Sequence, residues 1–294
     1  MINKSHKFIK YSGILVSCAA FIIFFAPSLS LAQEWAELKG DHFIVYFAGD
    51  EDLAKNVLNK AEYYYSKIAT DLGYPRYSEF WTWDKRTKIY IYPDRDSFIK
   101  ASGQPSWSVG MADYLAKSIT SYTNSEGFLD SLLPHEIAHL IFRDFVGFAG
   151  EVPLWLDEGV AQWEEAESTR KRIKELAKDL LNKDALIKLT YIMRIDTRLI
   201  KDDSRVYIRP TISTNGQQGI VFLSSQNMVN TFYIEAASLV GFMMEKYGSQ
   251  RFSDFCRRLK EGKSMDEAIS STYAEFVRDL KELEQEWVKY ISES

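Results

Sequence analysis

The feature that most restricts how this chain can fold is the pentapeptide HEIAH at residues 135–139. His135 and His139 are four residues apart, a spacing that places both imidazoles on one face of an α-helix. Glu136 projects beside that face. Two neutral imidazoles suit a zinc ion, and an adjacent carboxylate can act as a general base. The H-E-x-x-H pattern is moderately specific by itself, so a further ligand is needed.

The stretch PLWLDEGVA at residues 153–161 supplies a candidate for that ligand. Eighteen residues separate His139 from Glu158, enough for the end of one helix, a loop and the first turns of a second helix. Glu158 can therefore reach the same ion from a neighbouring helix. Three protein ligands with an open position for water are typical of catalytic zinc, whereas structural zinc has four. No fourth protein ligand is evident, which disfavours a purely structural ion.

HEIAH followed after eighteen residues by WLDEGVA resembles the gluzincin zinc metallopeptidases, in particular their exported bacterial branch with a peptidase-MA-like domain. The resemblance extends from about His42 to the C-terminus. Only LLPHEIAHLIFRDFVG and VPLWLDEGVAQW carry specific chemistry. The resemblance implies that His135, His139 and Glu158 bind one zinc ion and that Glu136 is the catalytic base.

Two departures from the aminopeptidases of that family limit what the resemblance implies. Those enzymes have an Asn before the third ligand, where this chain has Asp157. The chain also lacks the Gly-Ala-Met-Glu-Asn segment that holds the substrate amino terminus. Aminopeptidase specificity therefore does not carry over, and an endopeptidase is the expectation.

A donor for the oxyanion is also expected, because negative charge develops on the carbonyl oxygen when water attacks it. In related gluzincins this donor is a tyrosine on a helix downstream of the third ligand. Tyr233, in the helical pattern from Thr231 to Tyr247, is our candidate. The alternative is an ordinary core tyrosine whose hydroxyl is bonded elsewhere.

Residues 1–32 have the pattern of a secretory signal peptide, with three lysines before an apolar stretch and a small-x-small site at Ser30-Leu31-Ala32. Residues 11–32 could instead remain as a membrane anchor, and Cys18 allows a less favoured lipoprotein reading. We therefore expect an exported protein, periplasmic or extracellular. The remaining chain has 33 basic and 41 acidic residues and no basic stripe, so nucleic acid is not an expected partner.

The expected fold is an α+β zincin-like fold of the gluzincin type. A small N-terminal mixed sheet with one long helix (33–124) precedes a mainly helical lobe that carries the zinc site (125–294). The active-site cleft is expected between them. Together, residues 33–294 form the predicted catalytic domain.

Several local features bear on the site. Gly110-Met111-Ala112 is the candidate edge strand that pairs with an extended substrate, or else a plain buried strand. Ser125 is the expected N-cap of the zinc helix, and Pro134 indicates a kink or a restart there. Arg143 and Asp144 favour a surface ion pair, although either could orient a ligand. Residues 193–230 could be a lid or a surface insertion.

These patterns together predict a zinc-dependent peptidase whose substrate is a peptide or protein. The alternative is a catalytically silent zinc-binding envelope protein that recognises peptide or cell-wall material. Both keep His135, His139 and Glu158 as ligands, and they differ in whether Glu136 supports turnover.

Overall fold

The computed structural model describes residues 34–73, 81, 85–106, 108–146, 152–197, 200, 206–212 and 218–294. The predicted leader at 1–32 and its possible anchor at 11–32 lie outside these ranges. No helix within them combines the length and the apolarity that crossing a bilayer requires.

A five-stranded mixed sheet forms the N-terminal part of the fold. Its strands are β1 (Ala36–Lys39), β2 (Phe43–Phe47), β3 (Thr87–Tyr92), β4 (Gly110–Asp113) and β5 (Ser118–Tyr122), in the order β1-β2-β3-β5-β4. The pairs β2-β3 and β3-β5 are parallel, and the outer pairs β1-β2 and β4-β5 are antiparallel. The predicted mixed sheet is confirmed, and β4 is an edge strand.

One long helix, α1 (Glu51–Asp71), connects β2 to β3 and packs against the helix that carries HEIAH. Asp50 caps it by accepting a hydrogen bond from the Leu53 amide. Buried positions such as Val57, Ala61 and Ile68 recur at helical spacing. The short helix α2 (Arg95–Ser102) follows β3.

The segment before HEIAH differs from the prediction. Ser125 caps no helix, because its hydroxyl donates to the Val109 carbonyl oxygen of the neighbouring chain segment. A π-helical turn spans Phe128–Leu132, and helix α3 begins only at Leu133 and runs to Val146. Pro134 is tolerated because the first amides of a helix have no intrahelical acceptor. The helix therefore restarts at the proline, and both histidines fall in its first two turns.

The C-terminal part is mostly helical, as predicted. It contains α4 (Leu154–Trp163), α5 (Glu167–Asn182), α6 (Leu189–Ile192), α7 (Ser225–Tyr247), α8 (Ser249–Lys260), α9 (Met265–Thr272) and α10 (Leu280–Glu293). The central helix is α7, which is buried along most of its length and packs closely on α4. Cys256 is buried, and burial raises the pKa of its thiol.

A two-stranded antiparallel sheet precedes α7. Its strands are β6 (Val206–Ile212) and β7 (Gln218–Ser224). The connection between the two strands, residues 213–217, lies outside the described residues. The sheet contacts α7. Its role as a lid or as a surface insertion stays a prediction.

Candidate active site

Helices α3 and α4 bring the three expected ligands together. His135 and His139 occupy successive turns of α3, and Glu158 lies in the first turns of α4. The two helices pack against each other. Glycine at 159 allows α4 to approach α7 closely, because a methyl group there would lie 2.6 Å from the Ala236 carbonyl oxygen. That approach determines where the neighbouring Glu158 carboxylate sits.

The donor atoms of these residues converge on one point. The Nε2 atoms of His135 and His139 are 3.2 Å apart. Glu158 Oε2 lies 3.8 Å from each of them. A point equidistant from the three atoms would be about 2.1 Å from each, which matches ordinary zinc–nitrogen and zinc–oxygen bond lengths. Among the described residues these three form the only group of histidine, cysteine and acidic side chains close enough to hold a metal.

Carboxylates behind the histidines orient both rings. Glu165 Oε1 lies 3.0 Å from His135 Nδ1, and Asp157 Oδ1 lies 3.0 Å from His139 Nδ1. A carboxylate at Nδ1 favours the tautomer with the proton on that nitrogen, which leaves the Nε2 lone pair for a metal. Two lone pairs and a carboxylate oxygen facing one point repel one another unless a cation lies between them. The residues present therefore fit a zinc ion.

Further contacts hold these two carboxylates. Ser131 donates a hydrogen bond to Glu165 Oε2 at 2.7 Å. Arg143 donates from Nη2 to Asp157 Oδ2 at 2.6 Å. Although burial alone would raise it, contacts with His139 and Arg143 hold the pKa of Asp157 below its usual value. Asp157 is thus a buried anion at 2 % exposure, and its carboxylate lies at Nδ1 of His139.

The prediction that Arg143 and Asp144 form a surface ion pair is wrong. Arg143 bonds to Asp157, whereas Asp144 accepts hydrogen bonds from Trp81 Nε1 at 2.7 Å and Lys117 Nζ at 2.5 Å. Residues 143 and 144 project in different directions from the helix, so each meets a different neighbour. The alternative role for Arg143, orienting a ligand through its partner, agrees with the contact to Asp157.

The candidate base Glu136 lies in the first turn of α3 beside the histidines. Burial raises the pKa of its carboxyl, the two histidines lower it, and Glu158 and Asp157 raise it further. The net shift is upward from the ordinary value. A raised pKa suits a carboxylate that must accept a proton near neutral pH.

Tyr233 lies on α7 and is half-buried. Burial raises the pKa of its hydroxyl, and the Glu158 carboxylate raises it further, while a hydrogen bond with the Thr197 side chain lowers it. The structure thus provides that hydroxyl with a partner. The role of Tyr233 as the oxyanion donor stays a prediction.

Residues that sequence reasoning missed include Glu165 and Tyr114. Glu165 lies two residues after α4 ends at Trp163, so helical spacing from Glu158 does not indicate it. Tyr114 follows β4, and its ring meets His139 edge-on with centroids 5.9 Å apart. Nothing in the local sequence connects residue 114 to residue 139, because the contact depends on how the sheet packs.

Comparison with known proteins adds a distant likeness. The chain matches no protein-family model, and no curated protein is significantly similar to it. Solved structures of an M1 zinc metallopeptidase from Deinococcus radiodurans align with 86–88 % of the chain at 14 % identity. Their TM-scores are 0.41 for that peptidase, 0.42 for a point mutant and 0.44 for the mutant bound to a Tyr-Ser-Ala substrate. The chain spans about half the length of these structures, 51–52 %.

Proposed function

We propose that this protein is a zinc-dependent peptidase of the gluzincin type that hydrolyses peptide bonds in protein or peptide substrates. One observation carries the proposal. Two histidine nitrogens and the Glu158 carboxylate face a single point at distances that suit zinc, and the partly buried Glu136 follows His135 on the same helix. Three protein ligands leave a position for the reacting water.

The residues divide the chemistry as follows. Bound zinc would supply a Lewis acid that polarises the carbonyl and lowers the pKa of water. Glu136 accepts a proton from the attacking water and delivers it to the leaving amine. The Tyr233 hydroxyl donates a hydrogen bond to the carbonyl oxygen as negative charge develops on it. Asp157 and Glu165 keep the histidine rings in place throughout.

We further propose an endopeptidase. The support is β4, which among the described residues is an edge strand that pairs with β5 alone. The free edge of β4 offers backbone amides and carbonyls to an extended peptide, and Tyr114 directly after it contacts His139. A substrate paired with β4 would extend along several residues before reaching the ligands. The proposed cleft therefore lies between the sheet and the helical part.

An exported setting remains part of the proposal. It rests on the amino-acid pattern of residues 1–32 alone, with membrane association through residues 11–32 as its variant. Protease protection of the protein in intact cells, compared with cells whose outer layers have been opened, would test the location.

The function is tested by metal analysis and a peptide library. Zinc content and cleavage are measured for the wild type, for Glu136→Gln and for Glu126→Gln, which changes an exposed glutamate in the turn before α3. We expect one zinc ion in all three proteins. Cleavage should fall by about 10²–10⁴-fold in Glu136→Gln alone. Zinc-loaded wild type that cleaves nothing would instead favour the silent zinc-binding envelope protein.

A further inference from the structure

Tyr114 occupies a rigid position beside the proposed zinc ligands. It is the first residue of the turn after β4. Asp113 fixes that turn, because its Oδ1 accepts hydrogen bonds from the backbone amides of Leu115 and Ala116, both at 2.9 Å. The turn ends at Lys117 in the left-handed region, with φ of 48°. The backbone that carries Tyr114 is therefore held at both ends.

The ring of Tyr114 has a partner on its face and another at its edge. The Arg143 guanidinium carbon lies 4.1 Å from the ring centroid, a close cation–π contact. The His139 ring meets it at an interplanar angle of 82°. Arg143 is itself held by Asp157. These contacts fix the ring orientation, and a phenylalanine would make them equally well.

The hydroxyl is what distinguishes this tyrosine from a phenylalanine. Within the part of the chain that the structure describes, no side chain or backbone group hydrogen-bonds to it. Burial raises its pKa, and the carboxylates of Glu136, Asp157 and Glu158 raise it further against the opposing effect of Arg143. A tyrosine hydroxyl is protonated at neutral pH in any case and can therefore donate a hydrogen bond.

We propose that Tyr114 is a second catalytic tyrosine, whose hydroxyl donates a hydrogen bond to the oxygen of the tetrahedral species formed from the scissile carbonyl. The inference rests on the proposed peptidase function and deepens it. Tyr233 lies on helix α7, whereas Tyr114 lies in the turn of the β4-β5 hairpin. The two tyrosines belong to different elements and can therefore donate to the same oxygen from different directions. No proton leaves Tyr114 during the step.

The test compares Tyr114→Phe with Tyr63→Phe, which removes the hydroxyl of a residue 59 % exposed on α1. The probe is a phosphinic analogue of alanyl-alanine capped at both ends, which presents a tetrahedral anion in place of the peptide carbonyl. Its dissociation constant is measured by calorimetry on the zinc-loaded full chain. Loss of a hydrogen bond to a charged oxygen should weaken binding about tenfold or more in Tyr114→Phe and leave Tyr63→Phe unchanged.

Zinc affinity and thermal midpoint are measured on the same proteins. They should not change in Tyr114→Phe, because the ring contacts with Arg143 and His139 remain; a merely structural residue would alter them. Equal probe affinity in wild type and Tyr114→Phe, including the case that neither binds, overturns the proposal.

A cleavable peptide separates this inference from the function itself. In an active enzyme, Tyr114→Phe should lower kcat about 10–100-fold with KM nearly unchanged, because the bond forms with the transition state. Cleavage at the wild-type rate by Tyr114→Phe refutes the role of Tyr114 and leaves the peptidase standing. If the wild type cleaves nothing, weaker probe binding by Tyr114→Phe still supports the contact while the peptidase function fails.

Discussion

The close approach of α4 to α7 at Gly159 offers a quantitative test of how Glu158 is positioned. In Gly159→Ala, the added methyl group would lie 2.6 Å from the Ala236 carbonyl oxygen and 2.8 Å from Val240 Cγ2. Ordinary carbon contacts begin at 3.4 Å, so α4 and α7 must separate by about 0.8 Å at this point. One of the atoms that must yield is backbone within a buried helix, which cannot rotate away.

Two energies oppose each other in this variant. Overpacking in a core costs about 1–3 kcal/mol, whereas replacing glycine by alanine inside a helix gains about 1 kcal/mol. We therefore expect the free energy of unfolding to fall by up to about 2 kcal/mol in the absence of metal. The displacement also moves the neighbouring Glu158 by more than the roughly 0.2 Å that metal–ligand distances tolerate. Zinc affinity should fall about tenfold or more.

Urea unfolding with a chelator present measures the first effect, and zinc titration against a competing chelator measures the second. The matched control is Gly241→Ala, whose methyl group would meet the Trp163 ring at 2.3 Å on another part of the same helix pair. It should destabilise the protein without weakening zinc binding by the folded chain. A Gly159→Ala protein that is more stable than wild type by the propensity gain, with unaltered zinc affinity, would refute this account of the site.

Two further predictions follow from the buried charges. Asp157→Asn removes the charge behind His139, so zinc affinity should fall about 10–100-fold; competition with a chelator measures it, and an unchanged affinity would contradict the orienting role. Burial raises the pKa of Glu164 from 4.5 to about 7, against the opposing effects of Lys67 and Arg170. The folded protein therefore retains this proton at pH values where the unfolded chain has lost it. Stability should decline by up to about 3 kcal/mol as pH rises from 4.5 to 7. Denaturant titrations of wild type and Glu164→Gln check this, since the variant should lose that part of the pH dependence.

Local patterns predicted much of the secondary structure. The alternating sequence TKIYIY forms β3. The four-residue spacing places both histidines on one face of α3. Such patterns succeed because strand and helix periods depend on neighbours in sequence. The predicted start of α3 at Ser125 was wrong. Ser125 is a residue type that often caps helices, but its hydroxyl donates to the Val109 carbonyl oxygen, which belongs to another segment of the chain.

The sequence by itself determined which side chains could hold a metal, because residue type and helical spacing limit the candidates to His135, His139 and Glu158. Only the tertiary structure decided which groups surround them. Glu165, Arg143 and Tyr114 come from the start of the α4–α5 connection, the last turns of α3 and a hairpin turn, and they meet at the site through the packing of the sheet and helices. Periodicity is a property of one segment, whereas a contact between segments depends on how their buried faces fit together.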